Sequence, residues 1–363
     1  MKLTRNYLLL LLFLAIFASC EKDDSDPKSE ATKVAYIVNY GSYSGSKSEI
    51  SIYDIETKTI TNNAYKTANG IDFTSNIQSM TIYNDIAYFM SNNGDKIDFV
   101  GAKDLVARTN PISADITKPR YFAALGNYAY ITCWGPVNSG EWATIPSSYI
   151  AKIDLTTKVV TKIDLPGGPE GVIIINNKLY TGLCTANKVA VMDLSTNVIS
   201  YITVSAVPQH FVVDYSGKLW VSLVSKYSTP FSDDKLGLEV IDTLNNTVIS
   251  KVDFSGIGAE GYLHISSDKK TIYVMGNEAW PGVQSTIYSV NAETKTISSS
   301  ALISGENFYG FNLNPENDDI YVLISPSTTQ DGTLKIYDKE GALLDEETTG
   351  IAPLHVVFYD IIK

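Results

Sequence analysis

Arg120, His210 and His355 each stand just behind a proline, in Lys118-Pro119, Pro208-Gln209 and Pro353-Leu354, at the head of an apolar, strand-like run. An imidazole so placed can bind a metal or carry a proton near neutral pH, and it can equally hydrogen-bond the backbone of a neighbouring strand. His264, the remaining histidine, falls inside such a run and reads as structural. A second set of residues is aromatic. Tyr40, Tyr43, Trp134, Trp142, Tyr149, Tyr227, Phe231 and Trp280 lie in or beside polar, loop-like stretches, with Phe73, Phe308 and Tyr309 in further connections. Connecting loops need no Trp, yet three of the four are here. They make a candidate platform for the flat face of a ligand, and the plainer alternative is that each ring packs under its own loop. The candidate ligand contacts are therefore Tyr43, Arg120, Trp134, Trp142, Tyr149, His210, Tyr227, Trp280, Phe308, Tyr309 and His355.

Other reactive groups point to less. Asp72, Glu170, Glu260 and Glu306 occupy comparable loop positions, but nothing resembling a calcium-loop spacing joins them, so solvation and turn capping account for them. Cys133 and Cys184 read as buried free thiols, although an oxidised compartment would permit a disulfide. No nucleophile elbow, zinc-protease helix or phosphate loop is present, so no catalytic residue, metal ligand set or required cofactor is assigned and the chain is not read as an enzyme. With 28 Lys and Arg against 40 Asp and Glu, the net charge of −12 argues against a phosphate-tracking nucleic-acid binder. Three Cys and three His exclude a disulfide framework and a Cys-rich zinc module.

These residues must be positioned by a repeat. A short strand pattern with a central aromatic begins at Val34, Ile86, Tyr128, Lys178, Lys218, Thr271 and Asp319, at intervals of 52, 42, 50, 40, 53 and 48 residues. Upstream of each copy except the first lies an apolar run such as Gly171 to Ile175 or His210 to Val213. Downstream lies an alternating strand that ends in a polar turn, as in Asp193-Leu194-Ser195-Thr196-Asn197-Val198. Inner strand, aromatic strand, third strand and outer strand make four per unit, the content of a β-propeller blade. The first unit lacks its inner strand, while Leu354 to Tyr359 at the end of the chain is an inner strand without a partner. The expected fold is all-β: a seven-bladed propeller over residues 34–363 whose C-terminal strand completes blade one, leaving no open sheet edge.

The repeated form Asp-x-x-Thr-x-x-Val/Ile after the third strand resembles the YncE-like propellers with YVTN repeats, over essentially the whole of that domain. Ahead of it, Lys2 and Arg5 precede twelve apolar residues, Tyr7 to Ala18, too few to span a bilayer and suited to a secretory signal over residues 1–19. Phe17-Ala18-Ser19-Cys20 resembles a lipobox, which implies lipidation at Cys20, and residues 20–33 read as a lipidated acidic tether. Lys22-Asp23-Asp24 resembles the export signal of Bacteroidetes surface lipoproteins. Without Lys2 and Arg5 the mature chain has 26 basic and 40 acidic residues, a charge of −14. Together these features resemble the surface lipoproteins of gut Bacteroidetes that capture vitamin B12 and other corrinoids for a TonB-dependent outer-membrane transporter. The resemblance implies an outer-membrane, cell-surface location, a small-molecule ligand with a corrinoid such as cobalamin foremost, and a transporter partner. A lactonase-like or lyase-like propeller enzyme and an adhesion or scaffold protein are the alternatives.

Overall fold

The computed structural model describes residues 31–42, 45, 47–108, 110–224, 237–254, 259–277 and 284–362. They form seven antiparallel sheets in chain order. The inner strands, Pro353–Ile362 of blade one followed by Ile77–Tyr83, Pro119–Leu125, Pro169–Ile175, Val207–Val213, Ala259–Ile265 and Phe308–Leu313, each touch the next, and the last touches the first, so the ring is closed. Closure is made as the sequence implies, because Pro353–Ile362 pairs antiparallel with Ala31–Asn39 from Ala31↔Ile362 to Asn39↔Pro353.

The repeating aromatics explain how blades adhere. Tyr36, Tyr88, Tyr130, Tyr180, Trp220, Tyr273 and Tyr321 are all buried, and each lies in a cluster of apolar side chains. Their polar tips find partners: Tyr36 Oη donates to the Ala102 carbonyl of blade two at 2.5 Å, Tyr180 Oη to Asn246 Oδ1 of blade five at 2.9 Å, and Trp220 Nε1 to Asp214 Oδ2 at 2.8 Å. An aromatic at this position therefore contributes both apolar area and a satisfied hydrogen bond.

The turn motif after the third strand has an equally local cause. Asp54, Asp154 and Asp193, and Asn291 in blade six, accept the backbone N–H groups two and three residues on. Four residues after each, Lys58, Lys158, Asn197 and Lys295 take the left-handed conformation that turns the chain into the outer strand.

Two blades depart from four regular strands. Blade two keeps only Ile77–Tyr83, Ile86–Ser91 and Lys96–Gly101, and its outer strand is reduced to isolated bridges, Val100↔Ala107 and Ile97↔Ile112. Leu105 at φ 54° and Pro111, which lacks an N–H, interrupt the ladder there. In blade six the outer strand is split, with Thr296–Ile297 and Ile303–Glu306 both pairing with Gln284–Asn291. One short helix, Ala64–Asn69, fills the connection between blades one and two.

Candidate functional site

Every inner strand carries a register irregularity at its first turn, and the same few positions supply the site. In blade two, Gln78 and Ser79 together oppose Met90; in blade three, Arg120 and Tyr121 oppose Thr132; in blade four, Glu170 and Gly171 oppose Gly182; in blade five, Gln209 and His210 oppose Ser222. Blade six places Glu260, Gly261 and Tyr262 against Met275, and blades seven and one each insert one residue, Tyr309 and Leu354. A β-bulge of this kind leaves residues unpaired and re-aims their side chains. Here it turns a ring of them into the channel mouth. A cavity of about 290 Å³ is lined by Gln78, Arg120, Tyr121, Glu170, Gln209, His210, Tyr262, Tyr309 and Leu354, all bulge residues, together with Tyr40.

Local chemistry supports the bulges. Four of the inner strands place a proline at the top, Pro119, Pro169, Pro208 and Pro353, where no ladder N–H is needed. The freed N–H of Tyr121 donates to Thr132 Oγ1 at 3.0 Å and that of His210 to Ser222 Oγ at 3.1 Å, hydroxyls that stand opposite the bulges and are buried. Ser79 Oγ donates to the Arg120 carbonyl at 2.6 Å, tying one bulge to the next.

The wall at blades two to four is a buried ion pair. Arg120 Nε and Nη2 meet the two Glu170 oxygens, each at 3.1 Å, and Nη1 donates to Gln78 Oε1 at 2.6 Å. The guanidinium lies 4.3 Å from the ring centroid of Trp134. Burial pushes the Glu170 carboxyl above its ordinary value against the pull of Arg120. Burial also opposes the Arg120 charge, and the carboxylate more than offsets it. The Trp134 indole N–H is buried without a hydrogen bond of normal geometry, although it lies near enough to Glu170 to favour the carboxylate. Trp142 packs edge-on to Trp134 at 6.1 Å and is 55% exposed, the outermost ring of this wall.

The opposite wall is aromatic and uncharged. His210 stacks on Tyr262 at 4.9 Å and meets Tyr121 edge-on at 5.5 Å. Desolvation by these rings, with smaller contributions from His355 and Arg120, lowers its pKa to about 4. His355 is next to the cavity-lining Leu354 and hydrogen-bonds the Met80 backbone of blade two, and burial takes it to about 4. His264 packs edge-on to Phe311 at 4.7 Å, bonds that residue's backbone, and is lowered by burial to about 3. All three imidazoles are neutral at pH 7.

Of the residues singled out from sequence, Arg120, His210 and Tyr309 line the cavity, His355 lies beside it, and Trp134 and Trp142 extend its wall. Tyr149 and Phe308 do not reach it. Tyr149 is in the blade-three core, its hydroxyl bound to the Thr117 N–H and the Asp115 carbonyl, and Phe308 is buried between blades six and seven. Tyr43, Tyr227, Trp280 and Cys20 lie outside the described residues. Of the carboxylates, Asp72 is half-buried and paired with Lys66 and Lys47, Glu306 is exposed beside Gln284, and Glu170 lines the cavity; the side chain of Glu260 lies outside the described residues. Cys133 and Cys184 are unbonded thiols that burial pushes up to about 12. A larger cavity of about 420 Å³ lies off the axis near blades one and seven, where Lys47, Lys66 and Asp72 are already paired with one another. Sequence reasoning missed Gln78, Tyr121, Gln209 and Tyr262. The proline that opens an inner strand marks the bulges of blades three to five and of blade one, and nothing comparable marks Gln78 or Tyr262.

The fold recurs in solved structures of low identity. A putative 6-phosphogluconolactonase from Bacteroides fragilis matches with 13% identity over 93% of this chain and 100% of its own, at a TM-score of 0.66. The periplasmic gluconolactonase PpgL of Pseudomonas aeruginosa matches with 13% identity over 89% and 99%, at 0.64. A protein from Lactobacillus plantarum matches with 16% identity over 91% and 100%, at 0.65. No curated relative matches the chain by sequence. A sequence family covers nearly all of the propeller, residues 33–348, and on that match the chain belongs to the family described as a domain of unknown function, DUF5074.

Proposed function

We propose that this protein is a lipid-anchored, surface-exposed binding protein of the outer membrane that holds a small-molecule nutrient at the channel mouth and passes it to a TonB-dependent transporter, with a corrinoid as the foremost ligand. The observation that carries the reading is the chemistry of the bulge ring: tyrosines, glutamine amides, an internally neutralised Arg120–Glu170 pair and the uncharged imidazole of His210 around an open cavity. Such a surface makes hydrogen bonds and ring contacts without a net charge, which suits an amide-fringed, flat ligand. A cavity of about 290 Å³ takes a side group of a macrocycle and not the whole of it. The macrocycle would lie across the rim, where Trp142 is exposed. A neutral imidazole keeps the lone pair that a cobalt ion needs, and His210 holds that form down to about pH 4. Ala31 and Ile362 pair at the end of blade one remote from the cavity, so an N-terminal tether leaves the binding face free.

Titration of the purified protein with cyanocobalamin and with cobinamide tests the reading. Saturable binding at or below micromolar ligand is expected, and its absence for both removes the corrinoid. A lactone panel run on the same sample separates binding from the activity carried in the names of the two lactonase-like neighbours. Turnover that is lost in His210→Ala would replace the binding reading with an enzymatic one.

A further inference from the structure

Arg120 reaches beyond its ion pair. Its Nη1 donates to Gln78 Oε1 at 2.6 Å while Nε and Nη2 are occupied by Glu170. A guanidinium has donors only, so the atom facing it is the carboxamide oxygen, and the Gln78 nitrogen must point elsewhere. Among the described residues that nitrogen donates to none, and Gln78 lines the cavity. The guanidinium is itself held in place: the Glu170 side chain is 5% exposed, Trp134 lies under the guanidinium plane, and Ser79 fixes the Arg120 backbone.

We propose that Arg120 and Glu170 are a positioning pair that presents the Gln78 amide as a hydrogen-bond donor, so that the site selects ligands offering a neutral carbonyl oxygen, of carboxamide or ester type, to the blade-two wall. This rests on the cavity being the ligand site and not on the ligand being a corrinoid. The selectivity follows from charge. A carboxylate would also accept from Gln78, but the Arg120 charge is cancelled by Glu170, so an anion entering the wall is desolvated without a counter-charge. An ammonium group meets donors of its own kind.

Nicotinamide and nicotinate, which differ only in a carboxamide against a carboxylate, are suitable probes for the isotope-labelled full-length protein. The side-chain amide signal of Gln78 is assigned by its loss in Gln78→Glu. Nicotinamide is expected to move that signal and to bind about tenfold more tightly than nicotinate, whose carboxylate is desolvated without a counter-charge. Glu170→Gln uncovers the Arg120 charge and should reverse the preference toward nicotinate, an outcome that mere loosening of the fold does not produce. Should that variant not fold, Gln78→Leu, at a half-buried position on the cavity wall, decides by abolishing the preference for nicotinamide, whatever stability is lost by leaving Arg120 Nη1 without its acceptor. An unmoved Gln78 signal at millimolar probe, or a preference that survives both substitutions, overturns the proposal. Cyanocobalamin added to the same sample keeps the two readings apart. Its binding with Gln78 undisturbed refutes the positioning role alone, and a nicotinamide response without cyanocobalamin binding refutes the corrinoid alone.

Discussion

Glu170 and Arg120 each depend on the other to remain buried. Removing the carboxylate in Glu170→Ala leaves a guanidinium with 16% exposure, one neutral acceptor in Gln78 and no counter-charge. A loss of about 3–5 kcal/mol in urea unfolding is expected, the size found when one partner of a buried pair is deleted. The histidines make a separate, pH-dependent contribution. His210, His264 and His355 have folded pKa values of about 4, about 3 and about 4, below the ordinary 6.5. Between those values the unfolded chain binds more protons, so their stabilisation is complete above about pH 6.5 and is lost as the pH falls toward 4. The melting temperature should therefore decline across that window, before the carboxylates with lowered pKa, such as Asp72 and Asp268, begin to be protonated. His355, which titrates in the same window, and Arg120 both oppose a charge on His210, and the rings of Tyr121 and Tyr262 pack against it. His210→Gln should flatten the decline, and an unchanged slope would assign it to other groups. At this scale the sequence was informative about residue type and poor about direction. Arg120 and His210 stood out because a proline precedes them, whereas Tyr149 and Trp134 looked alike and differ only in whether the ring turns into the blade core or toward the channel.

At the scale of strands, the bulge is the element that makes a site out of a repeat. Two residues opposite one shift the register only at the top of the strand, so the apolar alternation below is intact and the extra side chains emerge at the channel mouth. That is why periodicity located the strands and overlooked Gln78, Tyr121, Gln209 and Tyr262: a pattern read in steps of two assigns alternate residues to the core and has no place for an inserted one. The bulges also bring neighbouring inner strands very close. A Cβ on Gly310 would lie 2.1 Å from the Leu354 carbonyl oxygen, and one on Gly171 would lie 2.3 Å from that of Gln209. Gly310→Ala therefore has to separate blades seven and one, and a loss of about 2–3 kcal/mol is expected in denaturant unfolding. Gly126→Ala is the contrasting case. Its φ of +58° is strained for any side chain, but nothing lies within 4 Å, so the loss should be about 1 kcal/mol with no effect on ligand contacts. Equal losses at the two sites would mean that the close approach of the bulges carries no load. Blade two shows the converse limit of sequence reading. Its outer strand was expected from the period alone, and a left-handed Leu105 followed by Pro111 was enough to dissolve it into two bridges.

For the whole molecule, the decisive contact is between the two ends of the described chain. Pro353–Ile362 is at once the inner strand of blade one, the partner of Ala31–Asn39, and the stave between the inner strands of blades seven and two. Closure was legible because it depended on counting: a first unit lacking an inner strand and a last inner strand lacking a unit can satisfy one another only across the ring. The stability it confers is cooperative, since each blade buries its apolar faces against two neighbours and a ring has no terminal blade to fray. Deleting residues 353–363 would expose the edge of Ala31–Asn39, remove Leu354 and His355 from the channel mouth, and leave blades two and seven each with one unpacked face. The full-length chain should melt in a single transition, and the shortened one should lose that transition and associate through its open edge, as calorimetry with light scattering would show. A truncated protein that stays monomeric and melts near the full-length temperature would mean that the remaining blades hold the channel open unaided. The ring of bulges would then owe its shape to each blade separately and not to closure.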